Sequence, residues 1–130
     1  MTEETRTRPA KQSFRDLQIW RKSMELTAAV YSLTNTFPRK ESFGLTSQLR
    51  RSAISIPSNI AEGHGRMNPR EFKRFLLIAR GSNCELQTQL ELAAVLQFAD
   101  PQALKSTQDL ALEVENMLFA FLARIRNNSS

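Results

Sequence analysis

Apolar residues recur along this chain at helical spacing in four successive blocks, and no block shows sustained strand-like alternation. In the first, Ile19, Leu26, Val30 and Leu33 form one stripe and Trp20, Met24 and Tyr31 its neighbour, predicting a helix capped by Asp16 that runs to about residue 36. Phe37-Pro38 ends it, because a residue before proline is biased out of helical geometry. The second helix begins near Ser42, with Leu45, Leu49, Ala53, Ile56 and Ile60 on one face. Ile54 stands nearly opposite, beside Ser47, Ser58 and Ala61, so this helix carries apolar groups in two directions. Pro57 interrupts it, removes one donor and displaces the Ala53 carbonyl, which predicts a kink, with Ser or Asn side chains satisfying the freed group. Gly63 and Gly65, flanking His64, supply the expected left-handed stop.

Asn68-Pro69 reads as an N-cap followed by proline in the first helical position, and Asp100-Pro101 repeats that signature. The third helix thus spans about 69–98, with Phe72, Phe75, Leu76, Ala79, Leu86 and Leu90 on its main face. Leu77, Cys84 and Val95 line a second direction and Ile78, Leu92 and Leu96 a third, more apolar surface than one bundle needs. The fourth carries the near-heptad series Leu104, Ala111, Val114, Leu118, Phe121 and Ile125. Short connections make the expected fold all-α, an up-down-up-down antiparallel four-helix bundle with a kinked second helix. Residues 14–126 form the bundle, between flexible tails at 1–13 and 127–130. The surplus faces at Ile54, Ser58, Ala61, Leu77 and Val95 are the candidate oligomer interface.

A length of 130 residues suits one domain, and a single cysteine excludes an internal disulfide framework. No apolar run reaches membrane-spanning length and the first residues lack an apolar signal core, so a soluble, cytoplasmic protein without membrane contact is expected. The net charge of +5 is unevenly spread: residues 1–80 hold 15 Lys/Arg against 7 Asp/Glu, and residues 81–130 hold 3 against 6. Such polarity suits an anionic partner, RNA or DNA, and equally suits neighbouring subunits or a protein partner meeting charge to charge.

Chemistry is sparse. One histidine and one cysteine offer no cluster with metal-ligand spacing, so no metal, no cofactor and no catalytic residue is expected. Cys84 lies in an apolar stripe and reads as a small core residue, while His64 belongs to the helix stop. Asn59, Glu62, Asn83 and Glu85 form a polar set expected near Arg50, Arg51 and Arg80, its amides fixing helix register. Gly81-Ser82 suggests a close helix crossing. Arg66, Arg70, Lys73 and Arg74 gather around the start of helix three, where cations oppose the helix dipole. With Arg50 and Arg51 they are the candidate nucleic-acid contacts.

Several segments taken together resemble one family: Phe14-Arg15-Asp16-Leu17 with Trp20, Phe37-Pro38, Phe43-Gly44-Leu45, Arg50-Arg51, Ser55-Ile56-Pro57 with Asn59-Ile60-Ala61-Glu62-Gly63, and Ala79-Arg80-Gly81-Ser82. Over residues 14–98 the chain is similar to the four-helix-bundle proteins encoded in 23S ribosomal RNA intervening sequences. The resemblance implies a ring-shaped homopentamer and no enzyme activity. It also implies kinship to accessory proteins of diversity-generating retroelements, which bind a reverse transcriptase and nucleic acid through basic surfaces. The expected function is a non-catalytic homo-oligomer associated with RNA or DNA, the alternative being a protein-protein scaffold without nucleic-acid binding.

Overall fold

The computed structural model of the chain describes residues 13–129, with side chains described to residue 125. Four helices follow one another: α1 (Gln18–Thr34), α2 (Leu45–Gly65), α3 (Pro69–Leu96) and α4 (Pro101–Ser129), with 3-10 turns at Phe14–Asp16 and Arg39–Glu41. No strand occurs among the described residues. The expected N-terminal tail lies outside them apart from Ser13, and α4 continues past residue 126, the expected end of the bundle.

Each helix packs on two neighbours, in the order α1, α2, α3, α4 and back to α1, and among the described residues no Cα atoms of diagonally placed helices come within 8 Å of each other. Phe72 on α3 meets Phe121 on α4, whereas Asn83 further along α3 meets the earlier Ala111. On α1 and α2, Thr27 meets Ala53 and Thr34 meets the earlier Arg50, so both pairs run antiparallel. The core is continuous, with Leu26, Leu49, Ile56, Ile60, Leu76, Leu86, Leu90 and Leu118 fully buried. At roughly 1.5–3 kcal/mol for each fully buried aliphatic side chain, this apolar packing is the main stabilising term.

The helix ends show where sequence signals and geometry part. Asn68 Oδ1 accepts from the backbone N–H groups of Arg70 and Glu71, each at 3.0 Å, and Asp100 Oδ2 accepts from Ala103 N at 3.0 Å, as the two Asx-Pro signatures predict. Asp16 does not cap α1. It sits in a 3-10 turn capped by Ser13, and Leu17 occupies the α1 N-cap position without a side-chain bond. At α2 the start moves from Ser42 to Leu45, whose N–H donates to Glu41 Oε1 at 3.1 Å across the turn. Neither Gly63 nor Gly65 is left-handed. Met67 (φ 54°) and Gln97 (φ 58°) take that conformation instead.

Several polar bonds tie consecutive helices together, Arg50–Thr34 between α1 and α2 and Gln87–Glu115, at 2.6 Å, between α3 and α4 among them. Pro57 has no N–H for the Ala53 carbonyl, and Thr27 Oγ1 of α1 stands 3.1 Å from that oxygen, its one proton shared between that acceptor and the Ser23 carbonyl at 2.8 Å. The substitute is therefore a threonine on the neighbouring helix, in place of the expected Ser or Asn. Ser55 and Ser82 hydroxyls bond at 2.7 Å between α2 and α3, and Asn83 Nδ2 donates to the Ala111 carbonyl at 2.9 Å between α3 and α4. The close approach of α2 to α3 falls at Gly63, where a Cβ would lie 2.6 Å from Phe75 Cβ and 3.1 Å from Phe72 Cδ1. Of Gly81-Ser82, expected at a close helix crossing, Ser82 lies at the α2–α3 contact, while Gly81 has nothing within 4 Å of its Cβ position.

Candidate assembly faces and nucleic-acid interface

The cyclic packing order sets the α1/α2 groove opposite the α3/α4 groove. On the first side, Thr27 and Tyr31 of α1 are held against α2, Tyr31 by the Arg50 guanidinium 4.4 Å from its ring centroid. Met24, Tyr31 and Ile54 are exposed there, Ile54 by 44%. Ser58 is exposed and Ala61 half-buried on the same outer side of α2. On the other side, Leu77, Arg80 and Cys84 share one stripe of α3 at three- and four-residue spacing. The Arg80 guanidinium lies 5.8 Å from the Phe119 ring centroid on α4, and its Nη2 stands 3.7 Å from Glu115 Oε2. Leu77 and Leu112 are exposed beside them, with Phe119 63% and Val95 76% exposed.

Cys84 is exposed, which overturns the expectation of a core thiol. Its stripe points outward because Asn83, one residue earlier, takes the inward position. It forms no pair with His64, whose ring meets Phe72 edge-on at 5.8 Å, about 18 Å along α3 from Cys84. Among the described residues no three His, Cys, Asp or Glu side chains gather as a metal site requires. No described helix is long and apolar enough to cross a membrane.

The expected polar set does not assemble into one cluster. Asn59 Nδ2 donates to the carbonyl and hydroxyl of Ser55 at 2.8 and 2.9 Å, joining the Ser55–Ser82 link, and Asn83 is fully buried against α4. Both amides thus make packing bonds. Glu62 instead faces solvent and pairs with Arg66 at 3.0 Å, and Glu85 is exposed. Arg50 turns toward α1, donating to Thr34 Oγ1 at 2.9 Å and Asn35 Oδ1 at 3.0 Å, away from that set.

The six candidate cations divide by local pairing. Arg50 is spent on α1, as above. Arg66 pairs with Glu62 and, at 3.8 Å, with Glu71; Arg74 pairs with Glu71 at 3.1 Å, and both guanidinia lie over the Phe75 ring. The bond from Arg74 lowers the Glu71 pKa below its ordinary value, and Glu71 raises that of Arg74. Arg51, Arg70 and Lys73 are exposed and form no ion pair among the described residues. Arg70 and Lys73 flank a hollow at the α2–α3 turn that sequence periodicity gave no means of seeing.

Residues 15–120 match the family model described as 23S rRNA-intervening sequence protein. The chain belongs to that family. A crystal structure of a protein of unknown function from the S23 ribosomal protein family of Bacteroides thetaiotaomicron shares the fold, with a TM-score of 0.72 at 23% identity over 80% of this chain and 97% of that one. No curated protein matches the chain. The matched span covers α1, α2, α3 and most of α4, so the family pattern extends beyond residue 98, into a helix recognised in sequence only by its periodicity.

Proposed function

We propose that this family member is a non-catalytic, cytoplasmic bundle that assembles with copies of itself into a ring and associates with RNA or DNA through its outer basic surface. The observation that carries the reading is the pair of unlike apolar faces on opposite sides of one bundle, Met24, Tyr31 and Ile54 on one and Leu77, Leu112 and Phe119 on the other. A two-fold dimer uses one patch twice. Two different patches facing opposite ways suit head-to-tail contact, which closes into a ring when the rotation between copies permits. Five copies is the number that the family resemblance implies.

Sedimentation at micromolar concentration tests the assembly, with a species several times the 14.8 kDa chain expected and a stable monomer overturning it. Ile54→Glu and Phe119→Glu should each break the ring while helix content is retained. A mixture of these two variants keeps one intact face on each partner, so a one-to-one pair should form. Two separate monomers in that mixture would refute the head-to-tail arrangement.

The nucleic-acid half is supported by Arg51, Arg70 and Lys73, which are exposed and unpaired by acids among the described residues. Replacing Arg70 and Lys73 by Gln should reduce the slope of log affinity against log salt by about 0.7 per lost contact on a single strand. Absence of binding to RNA and DNA at low ionic strength would leave the scaffold alternative, which the internal pairing of Arg66 and Arg74 with Glu62 and Glu71 favours.

A further inference from the structure

The end of the bundle where α2 turns into α3 carries an open hollow of about 500 Å³, walled by His64, Met67, Pro69, Phe72 and Ile125. A second hollow of about 470 Å³ shares Asn68, Pro69 and Ile125 with it and is bounded by Arg70 and Lys73. The wall of the second hollow is polar, and that of the first is mostly apolar and partly aromatic. Phe72 is fixed there by edge-on contacts with His64 at 5.8 Å and Phe121 at 5.5 Å, and by Gly63, which has no side chain to push it away.

The rim is cationic for a reason separate from the helix terminus. The first N–H groups of α3 are already taken by Asn68 Oδ1, so the terminus has few donors left for an anion. Arg70 and Lys73, by contrast, have charged side chains that no acid engages among the described residues. A hollow with an apolar, partly aromatic wall next to free cations complements a ligand that is itself flat and apolar on one side and anionic on the other.

We propose that this cleft seats a base of a single-stranded nucleic acid, with the base against the Phe72 wall and the adjacent phosphates on Arg70 and Lys73. The inference rests on the nucleic-acid reading above and narrows it to unpaired strands, because a base within a duplex is stacked on both faces and cannot enter a concave wall. A free nucleotide offers the same chemistry on a smaller scale. A strand adds phosphates on both sides of the seated base, which is what two separate cations on one rim can use.

The test is fluorescence anisotropy of the full chain at low ionic strength with a labelled short oligothymidylate. Its comparisons are an abasic strand of equal length, a duplex of equal length and thymidine monophosphate as competitor. The intact strand should bind roughly tenfold more tightly than the abasic strand for each seated base. Met67→Ser changes the wall at a residue 87% exposed, so folding is spared, and it should shrink that preference while leaving the salt slope alone. Phe72→Leu should shrink it further, with stability checked by urea titration.

Intact, abasic and duplex ligands binding within twofold of one another would overturn the base-seating inference while leaving nucleic-acid association standing. Competition by the mononucleotide at the strand's own affinity would also overturn it, in favour of a free-nucleotide site. No binding to any of them would remove both readings together.

Discussion

Thr27 and Pro57 make a coupled pair that a double-mutant cycle can isolate. Pro57 lies inside α2 and is buried, so the Ala53 carbonyl has lost its helical donor in a place where water is scarce. Thr27 Oγ1 reaches that carbonyl at 3.1 Å while lying 2.8 Å from the Ser23 carbonyl of its own helix, an oxygen that α1 can also satisfy through backbone bonding. Thr27→Val keeps the branched shape and removes the hydroxyl. Leaving a buried acceptor unmet costs about 1–3 kcal/mol, so a loss of about 1.5 kcal/mol is expected in urea titration at fixed protein concentration.

In a Pro57→Ala background the N–H of residue 57 returns to Ala53, and the same Thr27→Val change should cost under about 0.5 kcal/mol. The coupling is then about 1 kcal/mol, well outside the few tenths within which independent substitutions add. Additivity within that margin would refute Thr27 as the substitute donor, whatever the sign of Pro57→Ala alone.

Gly63→Ala should destabilise by about 1–2 kcal/mol, since the new Cβ meets Phe75 Cβ at 2.6 Å, a contact rigid helices cannot relieve cheaply. Gly65→Ala, in open space at an ordinary helical φ, should stabilise by roughly 0.5 kcal/mol, and thermal melts showing both changes with one sign would contradict the close approach. Asn68→Ala removes the acceptor for two α3 N–H groups and should cost about 1 kcal/mol in the same melts. Glu71→Gln should release Arg74 and strengthen nucleic-acid binding with a steeper salt slope, measured by titration against salt. Because the folded-state Glu71 pKa is lowered, its ion pair contributes above the unfolded carboxylate pKa and fades as pH falls through the folded value; Glu71→Gln should flatten stability against pH in that acidic window.

Helix number, approximate boundaries and the surplus apolar faces were legible because each rests on a period that local sequence carries. Ile54 is exposed where its position opposite the α2 core stripe predicts, and the second α3 stripe leaves Leu77 and Val95 exposed as well. The Asx-Pro caps were legible for a similar reason, since cap and proline sit side by side. Cys84 was not, because the stripe it shares with Leu77 and Val95 reads the same whether it faces core or solvent; only the rotation of α3 about its axis, set by Asn83 and Leu86, decides. The basic patch was legible as composition and not as chemistry, since the pairing of Arg66 and Arg74 depends on where Glu62 and Glu71 project. Thr27 could not be assigned to Pro57 from sequence, because its partner carbonyl is 26 residues away on another helix.

Three of the polar bonds between consecutive helices, Thr27–Ala53, Ser55–Ser82 and Asn83–Ala111, span 26, 27 and 28 residues, so each hairpin of the bundle is stitched at nearly the same place in its course. The joint between α1 and α4 has no such stitch among the described residues. Its polar link is the surface pair Lys22–Glu113 at 3.3 Å, and hollows of about 580 and 440 Å³ open along it. Surface pairs of this kind add little. The bundle therefore has a seam, and local opening should begin with α1 and α4 parting while the stitched hairpins hold. In hydrogen exchange, amides along that joint would report a lower opening free energy than those buried between α2 and α3, giving the molecule a built-in direction in which to breathe.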